Sequence, residues 1–161
     1  MFLWNKVFCF SVLITFICGC QTANKVSKVE EISLYLVELG DREFKQDNYI
    51  SAYQNYQKAL RKNNSLKDDI NFLARLMKVS LKMKNAKSVN EYYKFLNDNK
   101  SRLIHNNFSK EIYHYLLGKF YIFKKEPARS KSNFEIAKKL GEGKRDTFYD
   151  CLIQGEVECK K

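Results

Sequence analysis

An ungapped internal repeat constrains this chain more than any other feature. The stretch "ELGDREFKQDNYISAYQNYQKALRKN", Glu38 to Asn63, matches "LLGKFYIFKKEPARSKSNFEIAKKLG", Leu116 to Gly141, at a single offset of 78 residues. At that offset Gly40 meets Gly118, Ala52 meets Ser130, Tyr56 meets Phe134 and Ala59 meets Ala137. Small and aromatic residues recurring at helical spacing are what two packed helices need where their backbones come close. The chain has one proline, six glycines and no alternating strand pattern, so the expected class is all-α. Between the two copies, "LARLMKVSLKMKNAKSVNEYYKFLND" from Leu73 keeps apolar sites at Leu76, Val89, Tyr93 and Leu96, each 37 residues after Leu39, Ala52, Tyr56 and Ala59. It lacks the glycine and the small residues, so its helix pair is expected to splay.

The same positions resemble the tetratricopeptide repeat, or TPR. In that family a Leu-Gly in the first helix is followed by an aromatic near the turn, then Ala, an aromatic four later and Ala three after that. Leu39, Gly40, Tyr49, Ala52, Tyr56 and Ala59 stand at this spacing, and Leu117, Gly118, Tyr121, Ser130, Phe134 and Ala137 form the later copy. The resemblance implies a helical-hairpin solenoid of about three repeats over residues 31–143, closed by a capping helix and tail at 144–161. First helices are expected from Val29, Lys67 and Ser109. Second helices are expected near Asn48, Ala86 and Pro127, the proline sitting at the first helical position. Polar residues from Asn97 to Ser109 read as a long inter-repeat loop, and Phe148, Cys151 and Leu152 share the apolar face of the expected cap. Packing contacts are assigned to Gly40, Ala52, Tyr56, Ala59, Gly118, Ser130, Phe134 and Ala137, with Gly40 meeting the turn that carries Ala52. Carrying over the family's groove positions gives a partner-binding trough of Val37, Asp41, Phe44, Arg75, Lys78, Lys82, Tyr115, Lys119 and Ile122.

The N-terminus carries a second resemblance. Val7 to Ile17, "VFCFSVLITFI", is eleven residues with only Ser11 and Thr15 polar, after one cation, Lys6. That is short for a membrane span, which takes ~20 apolar residues, and suits the apolar region of a signal peptide. Ile17, Cys18, Gly19 and Cys20 then resemble the lipobox of bacterial lipoproteins, with Cys18 a departure from the usual Ala, Ser or Thr. The resemblance implies a signal peptide at 1–19, cleavage between Gly19 and Cys20, acylation of Cys20 and a lipidated tether over 20–30. Gln21, where Asp would retain the protein at the inner membrane, implies the periplasmic face of the outer membrane. An uncut N-terminal anchor is the other reading of this segment.

Without residues 1–19, whose one charged residue is Lys6, the net charge falls from +11 to +10. A pI near 9.4 ordinarily raises nucleic acid as a partner. Export removes it and leaves lipid head groups, lipopolysaccharide or acidic protein surfaces. Cys151 and Cys159 remain of the five cysteines, either as a disulfide in an oxidising compartment or as two free thiols. A bridge requires the chain to turn between them, because continuous helix would hold them ~12 Å apart.

No enzyme is expected, and no metal or cofactor. His105 and His114 stand nine residues apart without a partnering motif, and there is no phosphate-binding glycine loop or nucleophile elbow. The adjacent Asp68 and Asp69 read as charge compensation at a helix start. The two resemblances together imply an outer-membrane-anchored TPR scaffold lipoprotein. Its partner would be a protein of envelope assembly or secretion, foremost in type IV or Flp/tight-adherence pilus or secretin biogenesis. The alternative is a basic binder of lipopolysaccharide or peptidoglycan, distinguished by a steep salt dependence.

Overall fold

The computed structural model describes residues 27–154, and these are all-α. Signal and lipobox residues 1–19 and Cys20, most of the tether, and Cys159 lie outside the described residues. In chain order the helices are α1 (Lys28–Lys45), α2 (Tyr49–Lys62), α3 (Ile70–Lys82), α4 (Ala86–Asp98), α5 (Lys100–Leu103), α6 (Asn107–Phe123), α7 (Pro127–Leu140) and α8 (Asp146–Ile153). A 3-10 turn at Asn64–Asp68 precedes α3. None of the described helices is long and apolar enough to cross a membrane.

Helix starts follow from side chains that accept otherwise unpaired backbone N–H groups. Ser27 caps α1 through Glu30 N–H at 3.2 Å, and Asp69 caps α3 through Asn71 N–H at 2.8 Å. Asn106 and Ser109 form a reciprocal capping box on α6, each side chain accepting from the other's N–H at 2.8 and 3.0 Å. That box overturns the long loop expected from Asn97 to Ser109. Helix α4 runs on to Asp98, α5 follows, and α6 starts at Asn107, two residues before the expected Ser109. Helix α3 begins at Ile70 rather than Lys67, because the residues before it form the 3-10 turn and Asp69 is the cap.

Three helix pairs, α1–α2, α3–α4 and α6–α7, are each closed by the same turn. Asp47, Lys84 and Lys125 take left-handed backbone, with φ of 61°, 54° and 60°. The following N–H of Asn48, Asn85 and Glu126 reaches back to the carbonyls of Glu43, Ser80 and Tyr121 at 2.9, 2.9 and 2.8 Å. Those bonds define a Schellman stop, and the residue completing each one also begins the next helix. Lys84 stands 37 residues after Asp47, which fixes the middle pair in the register read from the sequence.

The outer pairs pack closely because a glycine makes room for a ring. A Cβ added at Gly40 would lie 2.5 Å from Cε1 of Tyr56, and Gly118 faces Phe134 with no more space. The nearest neighbour of Gly40 across the pair is therefore the Tyr56 ring. In the last pair the Ser130 hydroxyl does reach the Gly118 carbonyl, at 3.0 Å. All eight residues assigned to packing are buried. In the middle pair Met77 occupies the glycine's place and is itself fully buried. Its counterpart ring, Tyr93, stacks on Phe120 of α6, with centroids 3.7 Å apart and planes within 5°. The middle helices accordingly lie farther apart than the outer pairs.

Three apolar clusters follow one another along the molecule. One joins α1, α2 and α3 around Tyr56, Phe72 and Leu76, and one joins α3, α4 and α6 around Met77, Leu96 and Leu116. The third joins α7 to α8 through Phe134, Ala137, Phe148, Tyr149 and Leu152. Tyr149, absent from the expected face of the cap, is buried in it, whereas Cys151 is half-buried.

Candidate functional site

The first helices of the three pairs and the cap enclose a cleft of about 970 Å³. Asp41 and Phe44 come from α1, Arg75 and Lys78 from α3, and Phe108, Ile112 and Tyr115 from α6. Arg145, Phe148 and Tyr149 close it from the side of α8. That volume lies at the upper end of the range of ~300–1,000 Å³ found for small-molecule sites, and apolar walls with a few polar groups are the usual composition.

Of the nine expected groove residues, Asp41, Phe44, Arg75, Lys78 and Tyr115 line this cleft, and Val37, Lys82, Lys119 and Ile122 do not. Val37 is buried in the core of the first pair, and Ile122 is exposed outside the cleft. The Lys82 ammonium lies over the Tyr49 ring, 5.9 Å from its centroid.

Most of the charges in the cleft are engaged with neighbours. Asp41 receives Arg75 Nε at 2.9 Å and the Tyr56 hydroxyl at 2.7 Å, tying α1 to α2 and α3. Lys78 and Lys119 place their ammonium groups 5.3 and 5.8 Å from the centroid of Tyr115, within cation–π range. Burial pushes the Tyr115 phenol up to about 12, so it stays protonated and able to donate at any physiological pH.

Behind the wall formed by Arg145 and Tyr149 lies a carboxylate that local sequence reasoning missed. Glu111 is buried, accepts the Tyr149 hydroxyl at 2.6 Å and pairs with Arg145 at 3.2 Å. An unpaired carboxylate there would be strongly unfavourable. The three groups together fasten the cap to α6. Burial, followed by the bond to Glu111, raises the Tyr149 phenol well above its ordinary value. No local signal announces this set, since its members lie far apart in sequence. Phe108 was missed for another reason. It sits in the first turn of α6, within the segment read as loop, and the Asn106–Ser109 box was the signal that would have placed it on a helix.

His114 lies between α6 and α7, with Nδ1 3.0 Å from Asn133 Oδ1, and burial lowers its pKa. His105 contributes only a backbone N–H, donated to Ser109 at 2.9 Å. Neither faces the cleft. Among the described residues no three of His, Cys, Asp and Glu gather as a metal site would require. Cys151 is disulfide-bonded, while Cys159, the other half of the expected bridge, lies outside the described residues. The arrangement can recognise apolar and aromatic side chains and offer hydrogen bonds from the Arg75 guanidinium and the Tyr115 hydroxyl. No protein-family model, curated protein or solved structure matches the chain.

Proposed function

We propose that this chain is a TPR-like scaffold, a non-enzymatic lipoprotein that holds a protein partner at the periplasmic face of the outer membrane. The observation that carries the binding role is the cleft, built by consecutive first helices and walled with Phe44, Phe108, Ile112, Tyr115 and Phe148. Support for the solenoid comes from the three matching turns and from the glycine-to-ring packing of the outer pairs. Support for the anchor comes from Ile17, Gly19 and Cys20 after an apolar run. The partner is an extended or helical segment with apolar side chains, from a component of envelope assembly such as a pilus or secretin system. Anion binding is the weaker reading, because three of the four cations lining the cleft are engaged, Arg75 with Asp41, Arg145 with Glu111 and Lys78 over the Tyr115 ring.

The test is chemical cross-linking in intact cells of a Gram-negative host, comparing wild type with Phe108→Asp. Phe108 is half exposed, so its loss leaves folding intact. Wild type should give a discrete adduct that the variant loses. An adduct of equal yield from the variant overturns the cleft as the binding site. Intact mass and membrane fractionation, with Cys20→Ala as control, read the anchor separately.

A further inference from the structure

The two ends of the helix stack differ. At the C-terminal end α8 covers the apolar surface of α7 through Phe148, Tyr149 and Leu152. At the N-terminal end the first two turns of α1 expose Val29 (51%), Ile32 (39%), Leu34 (50%) and Tyr35 (59%). In that part of the helix Ser33 and Val37 are buried, and Leu36 packs half-buried against the same core.

The placement of these four side chains says what would cover them. At ~100° per residue they spread over about 220° of the circumference of α1. A helix packed alongside would cover a stripe of roughly 100° and leave the remainder wet. Farther along, the same arc carries Glu38, Arg42 and Glu43 beside the half-buried Leu36 and Leu39. The exposed apolar groups are therefore gathered at one end of the helix, and Leu34 and Tyr35 lie off the seam of Val29, Ile32, Leu36 and Leu39 that a second helix would cover. A surface that receives a helix end from several sides thus suits the four better than a second helix does. The end in question is the one nearest the anchor. Cys20 and Ser27 are seven positions apart, a reach of no more than about 25 Å.

We infer that the N-terminal end of α1 seats in the bilayer interface, with Val29, Ile32, Leu34 and Tyr35 at the boundary between head groups and acyl chains. This rests on the reading that Cys20 is acylated. Lys28 faces lipid phosphate, and a tyrosine at this level is in the position that amphipathic rings favour. Glu30 and Glu31 hold the first turn at the depth of the head groups, where lipid ammonium groups can meet them. Seating of this kind sets the height of the cleft, placing Phe44 about 14 Å along the helix from Tyr35.

The experiment uses the full chain, processed in a Gram-negative host and reconstituted into vesicles of phosphatidylethanolamine and phosphatidylglycerol. Trp4 is the one tryptophan and leaves with residues 1–19, so Tyr35→Trp creates a single reporter at an exposed site. Its emission should shift to the blue and be quenched by lipids brominated near the head group more than by lipids brominated at the chain end. Adding Val29→Asp and Ile32→Asp should abolish the quenching while the protein still floats with the vesicles. An acylated, vesicle-bound protein whose tryptophan is unquenched overturns the seating alone. A blue shift that grows with protein concentration without lipid also overturns it and assigns the surface to a second copy. A mass without acyl chains overturns both the seating and the anchor.

Discussion

Gly40 and Gly118 are irreplaceable for a local reason, since each gives up its side-chain volume to a ring on the partner helix, Tyr56 or Phe134. Gly40→Ala and Gly118→Ala should each destabilise the protein by about 1–3 kcal/mol, the usual cost of overpacking, measured by urea denaturation. Stability unchanged by both would remove the packing account. The same residues made the outer repeats legible in the sequence, because glycine, alanine and an aromatic at fixed spacing leave few alternatives. The middle pair was legible in its register and its splay, but not in its side-chain packing. Nothing in the residue types showed that Met77, filling the glycine's place, would go with a Tyr93 turned toward Phe120. The groove was partly legible for a related reason. Family spacing found Asp41, Arg75 and Tyr115, but exposure decides which neighbouring positions reach the cleft, and Val37 packs inward.

Turns and caps are where element-scale predictions belong. Lys84 and Lys125 hold left-handed backbone with side chains that resist it. Lys84→Gly and Lys125→Gly should each raise stability, by up to about 1 kcal/mol, since glycine is the preferred residue at this helix stop. A loss of stability in both would show that the lysine side chains contribute more than the backbone strain costs. Helix α8 depends on Glu111, whose bond from Tyr149 is 2.6 Å long. Tyr149→Phe leaves a buried carboxylate with its Arg145 charge partner but without the phenol's hydrogen bond and should cost about 1–3 kcal/mol, with faster amide hydrogen exchange in α8 than elsewhere. Uniform exchange would mean the cap is not fastened this way. Helix positions were read well where proline or asparagine marks a start, at Pro127 and Ala86, and badly at α6, where a capping box lay inside a polar run.

Over the whole molecule, buried tyrosines couple folding to alkaline pH. Burial is the largest cause raising the phenols of Tyr56, Tyr92, Tyr115 and Tyr149. A raised pKa in the folded state contributes stability that is complete below the ordinary phenol value of ~10 and is lost as pH climbs above it. Ultraviolet titration should therefore show some tyrosines ionising near their ordinary value and the rest only as the helices unfold. Ionisation of all of them in one step before helix loss would contradict this. The scaffold reading also belongs to this scale, since the cleft exists only when three helix pairs and the cap stand together. Its most direct test is in-cell photo-cross-linking of the processed protein, with a photoreactive phenylalanine analogue at Phe108 in the cleft or at Gln54 on the exposed face of α2. A discrete protein adduct in the membrane fraction from position 108 and none from position 54 is the predicted result. The same adducts from both positions, or none from 108, would contradict it.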